Sequence, residues 1–198
     1  MKLYFSKTSP FARKVRLAAL ILGLDKEIEL EIVDVFKDPH FKEINPLVKI
    51  PTLKTRDGFL LSNSPVIVDY LDSLSTTKKV IPADGSRWQA LQFQSIADGV
   101  MDASVLRRLE SLRPSEKQDH GFDSRQKEKI KNGLAYFESH IRLLKEPWGI
   151  AEISAVSMLG YLELRFAHEG WLSEFPQLQN WAKRANETEF AKGTHFLG

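Results

Sequence analysis

The chain has 198 residues, 28 Lys plus Arg against 26 Asp plus Glu, 42% hydrophobic residues and no Cys. A chain of this length buries roughly 70% of its unfolded surface, so its core needs no staple, and without cysteine it has no thiol nucleophile, thiolate metal site or CxxC redox pair of its own. A formal charge of +2 with both signs interspersed sets up no field to gather nucleic acid or anionic lipid.

Leu3-Tyr4-Phe5 reads as a short strand, and Ser6 to Ser9 as a polar loop. A helix is predicted over 10–22, because Phe11, Val15, Ala18, Ala19 and Leu22 recur at helical spacing, Arg13 and Arg16 lie off that stripe, and Gly23 stops it. Glu27 to Ile32 alternates with a period of two, the pattern of a strand with the glutamates on its wet side and a dry opposite face. A short helical turn is expected over 41–44. Two strand-like runs, Ile50 to Lys54 and Phe59 to Leu61, then flank Asp57-Gly58 as a hairpin. Ser64-Pro65 opens a second helix with Ile67, Tyr70, Leu71 and Leu74 on one face.

This order reads βαβ then ββα over residues 1–75, followed by a linker over 76–85 of Thr, Lys, Pro and Gly character and an all-helical unit over 86–198. Phe93, Ala97, Val100 and Ser104 mark a long helix from about Arg87 toward Leu112, and Ile130, Leu134, Phe137, Ile141 and Leu144 mark the next. Pro114 and Gly121 are expected to lie in the break between them. Ile150 to Leu162 carries one charge, Glu152, and is therefore predicted to be the central helix of a bundle. Leu178, Trp181, Ala182 and Ala185 supply a last amphipathic helix.

The chemistry points to two helix starts, Ser9-Pro10 and Ser64-Pro65. Each serine is a candidate N-cap with proline at the first helical position, and such an end offers unpaired N–H groups and partial positive charge to a carboxylate or thiolate. Taken singly, each is also a plain cap worth about 1 kcal/mol. Between them, Ile50-Pro51 opens a strand; in the cis form the bond turns the Ile50 backbone toward an extended, peptide-like ligand.

Thr8-Ser9-Pro10-Phe11-Ala12-Arg13-Lys14-Val15, Asn45-Pro46-Leu47-Val48-Lys49-Ile50-Pro51-Thr52-Leu53 and Ser64-Pro65-Val66-Ile67-Val68-Asp69-Tyr70-Leu71 stand in a telling order and spacing. On them the chain resembles the glutathione S-transferases, of the bacterial, serine-dependent type, over nearly its whole length. The resemblance implies a thioredoxin-like N-terminal domain, an all-α helical bundle after it, a homodimer, and glutathione as co-substrate with a small electrophile. It implies that Pro51 is cis, that Ile50 holds the cysteinyl part, and that Asn63, Ser64 and the helix end hold the γ-glutamyl carboxylate. Ser9 then faces the sulfur, with Thr8 as the alternative hydroxyl and Ser6 a third, and Phe11 is among the glutathione-binding residues.

By the same likeness Lys37 and Lys49 sit near the glycyl carboxylate and Asp98 reaches the γ-glutamyl amine; solvated surface charge or an interhelical salt bridge is the other reading of these three. Phe11, Met101, Val105 and Tyr161 are the expected apolar walls of the second-substrate pocket, with plain core as the alternative. A free thiol of pKa about 8.5 is only about 3% ionised at pH 7. A helix end contributes up to about 2 kcal/mol and a hydroxyl donor about 1.5–3 kcal/mol, together enough to lower that value by roughly one to three units.

Asn63 departs from the acidic residue or Gln usual before the serine, and offers no charge to the γ-glutamyl ammonium. That keeps open a protein-interaction module on the same fold. Gly149 and Glu152 stand where the family has a Ser or Thr and an Asp at the start of the central helix; Glu is a legitimate capping partner. The five His have no metal-ligand spacing, no GxGxxG or Walker A occurs, and a cysteine-type thiol reductase is excluded by composition. No apolar run approaches the roughly 18 residues of a bilayer span and Met1 to Tyr4 does not begin a signal peptide, so the expected location is the cytoplasm.

Overall fold

The computed structural model describes residues 1–196; positions 197–198 of the expected helical unit lie outside the described residues. Four strands form one sheet: β1 (Lys2–Phe5), β2 (Glu29–Ile32), β3 (Thr52–Lys54) and β4 (Leu60–Ser62), in the order β2-β1-β3-β4. β1 runs parallel to β2 and antiparallel to β3, and β3 is antiparallel to β4. Leu3 and Phe5 bury their side chains among α1 (Pro10–Leu22) and α3 (Ser64–Leu74). Tyr4 points the other way and meets Phe41 of α2 (Phe41–Ile44) edge-on at 6.0 Å. Among the described residues five α-helices follow: α4 (Arg87–Ser111), α5 (His120–Ser139), α6 (Ile150–Phe166), α7 (Pro176–Asn186) and α8 (Glu189–Lys192). The architecture is a thioredoxin-like α/β unit and then a helical one.

The first helix occupies its predicted span, and Gly23 closes it in the left-handed region at φ 75°. Its charges are not where a one-sided stripe puts them. Arg13 is 2% exposed and Lys14 is fully buried, because α1 is packed on one side by α3 and the sheet and on the other by α4 and α6. Gly160 makes this crossing possible: a Cβ there would collide with the Arg13 guanidinium. Arg13 donates to Val156 O at 3.2 Å and to Ala191 O at 3.4 Å, so it satisfies backbone carbonyls of the helical unit from within the α/β unit.

Several expectations are corrected. The second strand begins at Glu29, after a 3-10 turn at Asp25–Glu27, and its supposedly dry face is wet: Leu30 and Ile32 are 48% and 57% exposed because β2 is an edge strand left uncovered. Ser64 is the first residue of α3, not its cap; Asn63 precedes it at φ 74° and caps no N–H with its side chain. Gly121 lies within α5, and α5 ends at Ser139, so Ile141 and Leu144 continue its apolar stripe from a 3-10 turn and the loop beyond. The short α8 carries no apolar period long enough to foretell it.

The central helix α6 is buried on nearly every side, from Ile150 to Leu159. Glu152, 5% exposed, holds its start: Oε2 accepts the Gly149 N–H at 2.9 Å and Oε1 the Lys145 N–H at 2.7 Å. Glycine supplies no reciprocal side-chain bond, so this is half of a capping box.

Candidate functional site

Strand register decides where the chemistry gathers. Tyr4 lies opposite Thr52, and Thr52 opposite Ser62. With neighbouring strands about 4.8 Å apart, the loop leaving β1, the segment entering β3 and the turn leaving β4 all emerge at one edge of the sheet. Residues 6–9, 49–51 and 63–64 therefore share that edge, and both α1 and α3 begin there. Two helix N-termini converge on one place, each presenting unpaired N–H groups.

Ser9 caps α1: its Oγ accepts the Ala12 N–H at 3.2 Å. The hydroxyl proton is not used by that bond and remains available to an anion. Thr8 and Phe11 are half-buried beside it.

The Ile50–Pro51 bond is cis. Among the described residues neither the Ile50 N–H nor its C=O has a hydrogen-bond partner. A residue that the sequence reading passed over holds this segment. Asn45, 2% exposed, donates from Nδ2 to Lys49 O at 2.8 Å and to Thr52 Oγ1 at 3.0 Å, while its Oδ1 accepts the Leu47 N–H. The signal was the Asn-Pro pair, where an asparagine side chain folds back on the chain ahead of it. Within the loop Val48 has φ 52°, a left-handed conformation that a β-branched residue adopts only under strain.

Ser64 is completely buried and its Oγ has no hydrogen-bond partner among the described residues. An orphaned buried hydroxyl at a helix start is costly unless something supplies the missing bond. The positive φ of Asn63 is tolerated better by Asn than by Glu or Gln, which gives a local reason for this residue type.

The remaining predicted residues divide. Lys37 is an exposed cation paired with Asp34 at 3.1 Å, on the surface. Lys49 adjoins the cis bond. Asp102 of α4 is pushed up by burial and drawn down by Lys49 and Lys14, so the long helix passes close to this loop. Asp98 is engaged within its own chain: both its oxygens accept from Lys14 Nζ, at 2.6 and 2.8 Å. Burial drives the Lys14 amine down and the Asp98 carboxyl up, and their pairing opposes both shifts. Met101 is fully buried and belongs to the core, Val105 is half-buried, and Tyr161 is 4% exposed beneath Phe196 with ring centroids 6.1 Å apart.

Comparison with known proteins agrees with this layout. The sequence model of the glutathione S-transferase N-terminal domain matches residues 8–74, and that of the C-terminal domain residues 103–184. The GST-like protein YibF of Escherichia coli K12 is 32% identical over 185 residues, 90% of each chain. The chain belongs to the glutathione S-transferase family. Among solved structures, a glutathione transferase family member from Pseudomonas fluorescens Pf-5 with bound glutathione is 36% identical, with a TM-score of 0.94 over 98% of each chain. A second structure from that organism, holding S-(propanoic acid)-glutathione, has 36% identity and a TM-score of 0.90 over the same share of each chain. Among the described residues of this transferase-family chain, no helix is long and apolar enough to cross a membrane, and no group of three or more His, Cys, Asp or Glu could hold a metal ion.

Proposed function

We propose that the protein is a glutathione transferase that ionises the thiol of bound glutathione at Ser9 and directs it at a small electrophile. The observation that carries this reading is the common sheet edge, where the free Ile50 backbone, the unpartnered Ser64 hydroxyl and the Ser9 cap meet. These groups fit glutathione. Ile50 pairs with the cysteinyl backbone as an added strand, Ser64 and the α3 start take the γ-glutamyl carboxylate, and Lys49 lies nearest the glycyl carboxylate. Ser9 donates its remaining proton to the sulfur while the α1 N-terminus supplies partial positive charge. The serine acts as a donor to the thiolate, with no base relay behind it. The bound glutathione of the Pseudomonas relative supports the ligand.

Domain limits of 1–75, 76–85 and 86–198 accord with the two family matches on either side of residue 85. A homodimer in the cytoplasm, acting in detoxification, completes the reading; Leu47, Phe59 and Val66 leave apolar surface on the α/β unit for a partner copy. The rival is a non-catalytic interaction module, favoured by Asn63, whose side chain is uncharged.

Calorimetric titration with glutathione, followed by thiolate absorbance against pH, tests the proposal. Ser9→Ala should leave the affinity close to wild type and raise the bound thiol's pKa by roughly one to two units, the worth of one charge-assisted hydrogen bond. No heat at millimolar glutathione favours the interaction module. An unchanged thiol pKa moves the donor role to Thr8.

A further inference from the structure

Two of the expected walls of the second-substrate pocket are closed, Met101 with no exposed surface and Tyr161 with almost none, while Phe11 and Val105 are half-buried. What stands open lies farther along the same faces. Met101, Val105 and Arg108 are spaced i, i+4, i+7 on α4, and Tyr161 and Arg165 are i, i+4 on α6. The two helices pack against each other along their length. Their seam ends in a cavity of about 300 Å³ whose lining includes Arg108, Arg165, Ser111, His120 and His168.

A chain of contacts joins α1 to this seam. The Tyr161 ring lies 6.1 Å from Phe196, and the Arg13 guanidinium sits over that same ring at 5.0 Å. Arg13 is one helical turn beyond Ser9, and its N–H donates to Ser9 O. One aromatic ring thus separates the Arg13 guanidinium from Tyr161, and the Arg165 guanidinium covers the Tyr161 ring at 5.9 Å.

The charges at this seam are unevenly settled. Four carboxylates also border the cavity, and each is occupied. Asp123 and Glu169 accept from Arg107, Glu110 accepts from Arg113 and from the Asp119 N–H, and Asp119 caps α5. Among the described residues, Arg108 has a single long contact, to Ser111 Oγ at 3.5 Å, and no carboxylate within ion-pair distance. Arg165 has none either, and its Nε is buried with no partner. Burial pushes the Tyr161 hydroxyl up, and Arg165, by its charge and a hydrogen bond, and the charge of Arg108 oppose that shift. Two guanidiniums without a carboxylate partner among the described residues thus border one cavity, one of them with a buried donor unused, and an anion there would satisfy them.

We propose that the second substrate is an anion, a carboxylate-bearing electrophile whose charged group is received by Arg108 and Arg165 at the end of the α4–α6 seam. This inference rests on the reading of the chain as a glutathione transferase with the sulfur at Ser9. A guanidinium pair takes a planar carboxylate by parallel N–H donors. Arg108 and Arg165 then set substrate specificity, and the apolar residues behind them serve as packing.

The test uses the full chain and two matched conjugates that occupy both subsites at once, S-(4-carboxy-2-nitrophenyl)glutathione and its uncharged 4-carbamoyl counterpart, with glutathione alone as reference. Calorimetry should show the carboxy conjugate binding roughly tenfold or more tighter than the carbamoyl one. Arg108→Met and Arg165→Met should each reduce that preference, and Arg108→Lys should retain part of it. If Arg165→Met fails to fold, Arg108→Met decides alone. Equal affinities of the wild-type protein for the two conjugates, with glutathione still bound, overturn the anion assignment and leave the transferase reading standing. If neither conjugate nor glutathione binds, the transferase reading falls and takes the anion assignment with it.

Discussion

Lys14 is the best place to test whether the two units are held together by charge as well as by apolar contact. Its ammonium is fully buried on α1 and donates to both oxygens of Asp98 on α4, which is itself only 18% exposed. Replacing it by Met keeps the apolar stem and leaves Asp98, which also feels the like charge of Asp102, without its cation. Breaking one side of a buried pair costs about 3–5 kcal/mol. At about 2–4 °C per kcal/mol for a chain of this size, Lys14→Met should lower Tm by roughly 6–20 °C. The double variant Lys14→Met/Asp98→Leu removes both charges and should recover most of that loss, since an apolar pair of similar volume replaces an ion pair at little cost. Thermal unfolding followed by far-UV circular dichroism reads both. A single variant within about 2 °C of wild type, or a double variant as unstable as the sum of its singles, would refute the latch.

Two other perturbations follow from one buried carboxylate and two half-buried ones. Glu152→Ala strips two N–H groups of their acceptor at the start of α6 and should cost about 2–4 kcal/mol by urea unfolding; a loss below about 1 kcal/mol would mean that water replaces the carboxylate. Burial acts to raise Asp123 and Glu169, yet Arg107 overrides it by hydrogen bonds and charge, so both are held below the ordinary carboxylate range. Their contribution is therefore complete above their unfolded values, near pH 4–5, and is lost as pH falls through the lower folded values. Arg107→Met should move the acid-unfolding midpoint to higher pH, and a midpoint that stays in place would show that the network adds no stability.

Local chemistry was legible in the sequence wherever one element decides its own form. Ser9-Pro10 and Gly23 frame α1 because cap, first-turn proline and left-handed glycine act within a few residues. Asp57-Gly58 makes its hairpin turn, with Gly58 at φ 88°, for the same reason. Sequence pattern failed where a second element intervenes. Arg13 and Lys14 look like solvent-facing residues until α4, α6 and α8 supply their partners from 84 or more positions away. Leu30 and Ile32 look buried until the sheet proves to end at β2. The cis bond at Glu146–Pro147 has no local cue that sets it apart from the other X-Pro bonds of the chain. At the candidate site, Ser9, Ile50, Pro51 and Ser64 stand out in the sequence by their helix and strand boundaries. Asn45 was missed because its role is to hold another segment, and only the folded loop reveals it.

The way Arg13 is satisfied bears on how the chain matures during synthesis. The helix that carries it leaves the ribosome early, but the carbonyls it needs belong to Val156 and Ala191. Until the segments bearing these carbonyls have emerged, that guanidinium has only water to solvate it, whereas the neighbouring ammonium of Lys14 waits only for Asp98 of α4. Completion of the inner face of the α/β unit is thereby tied to the arrival of α8.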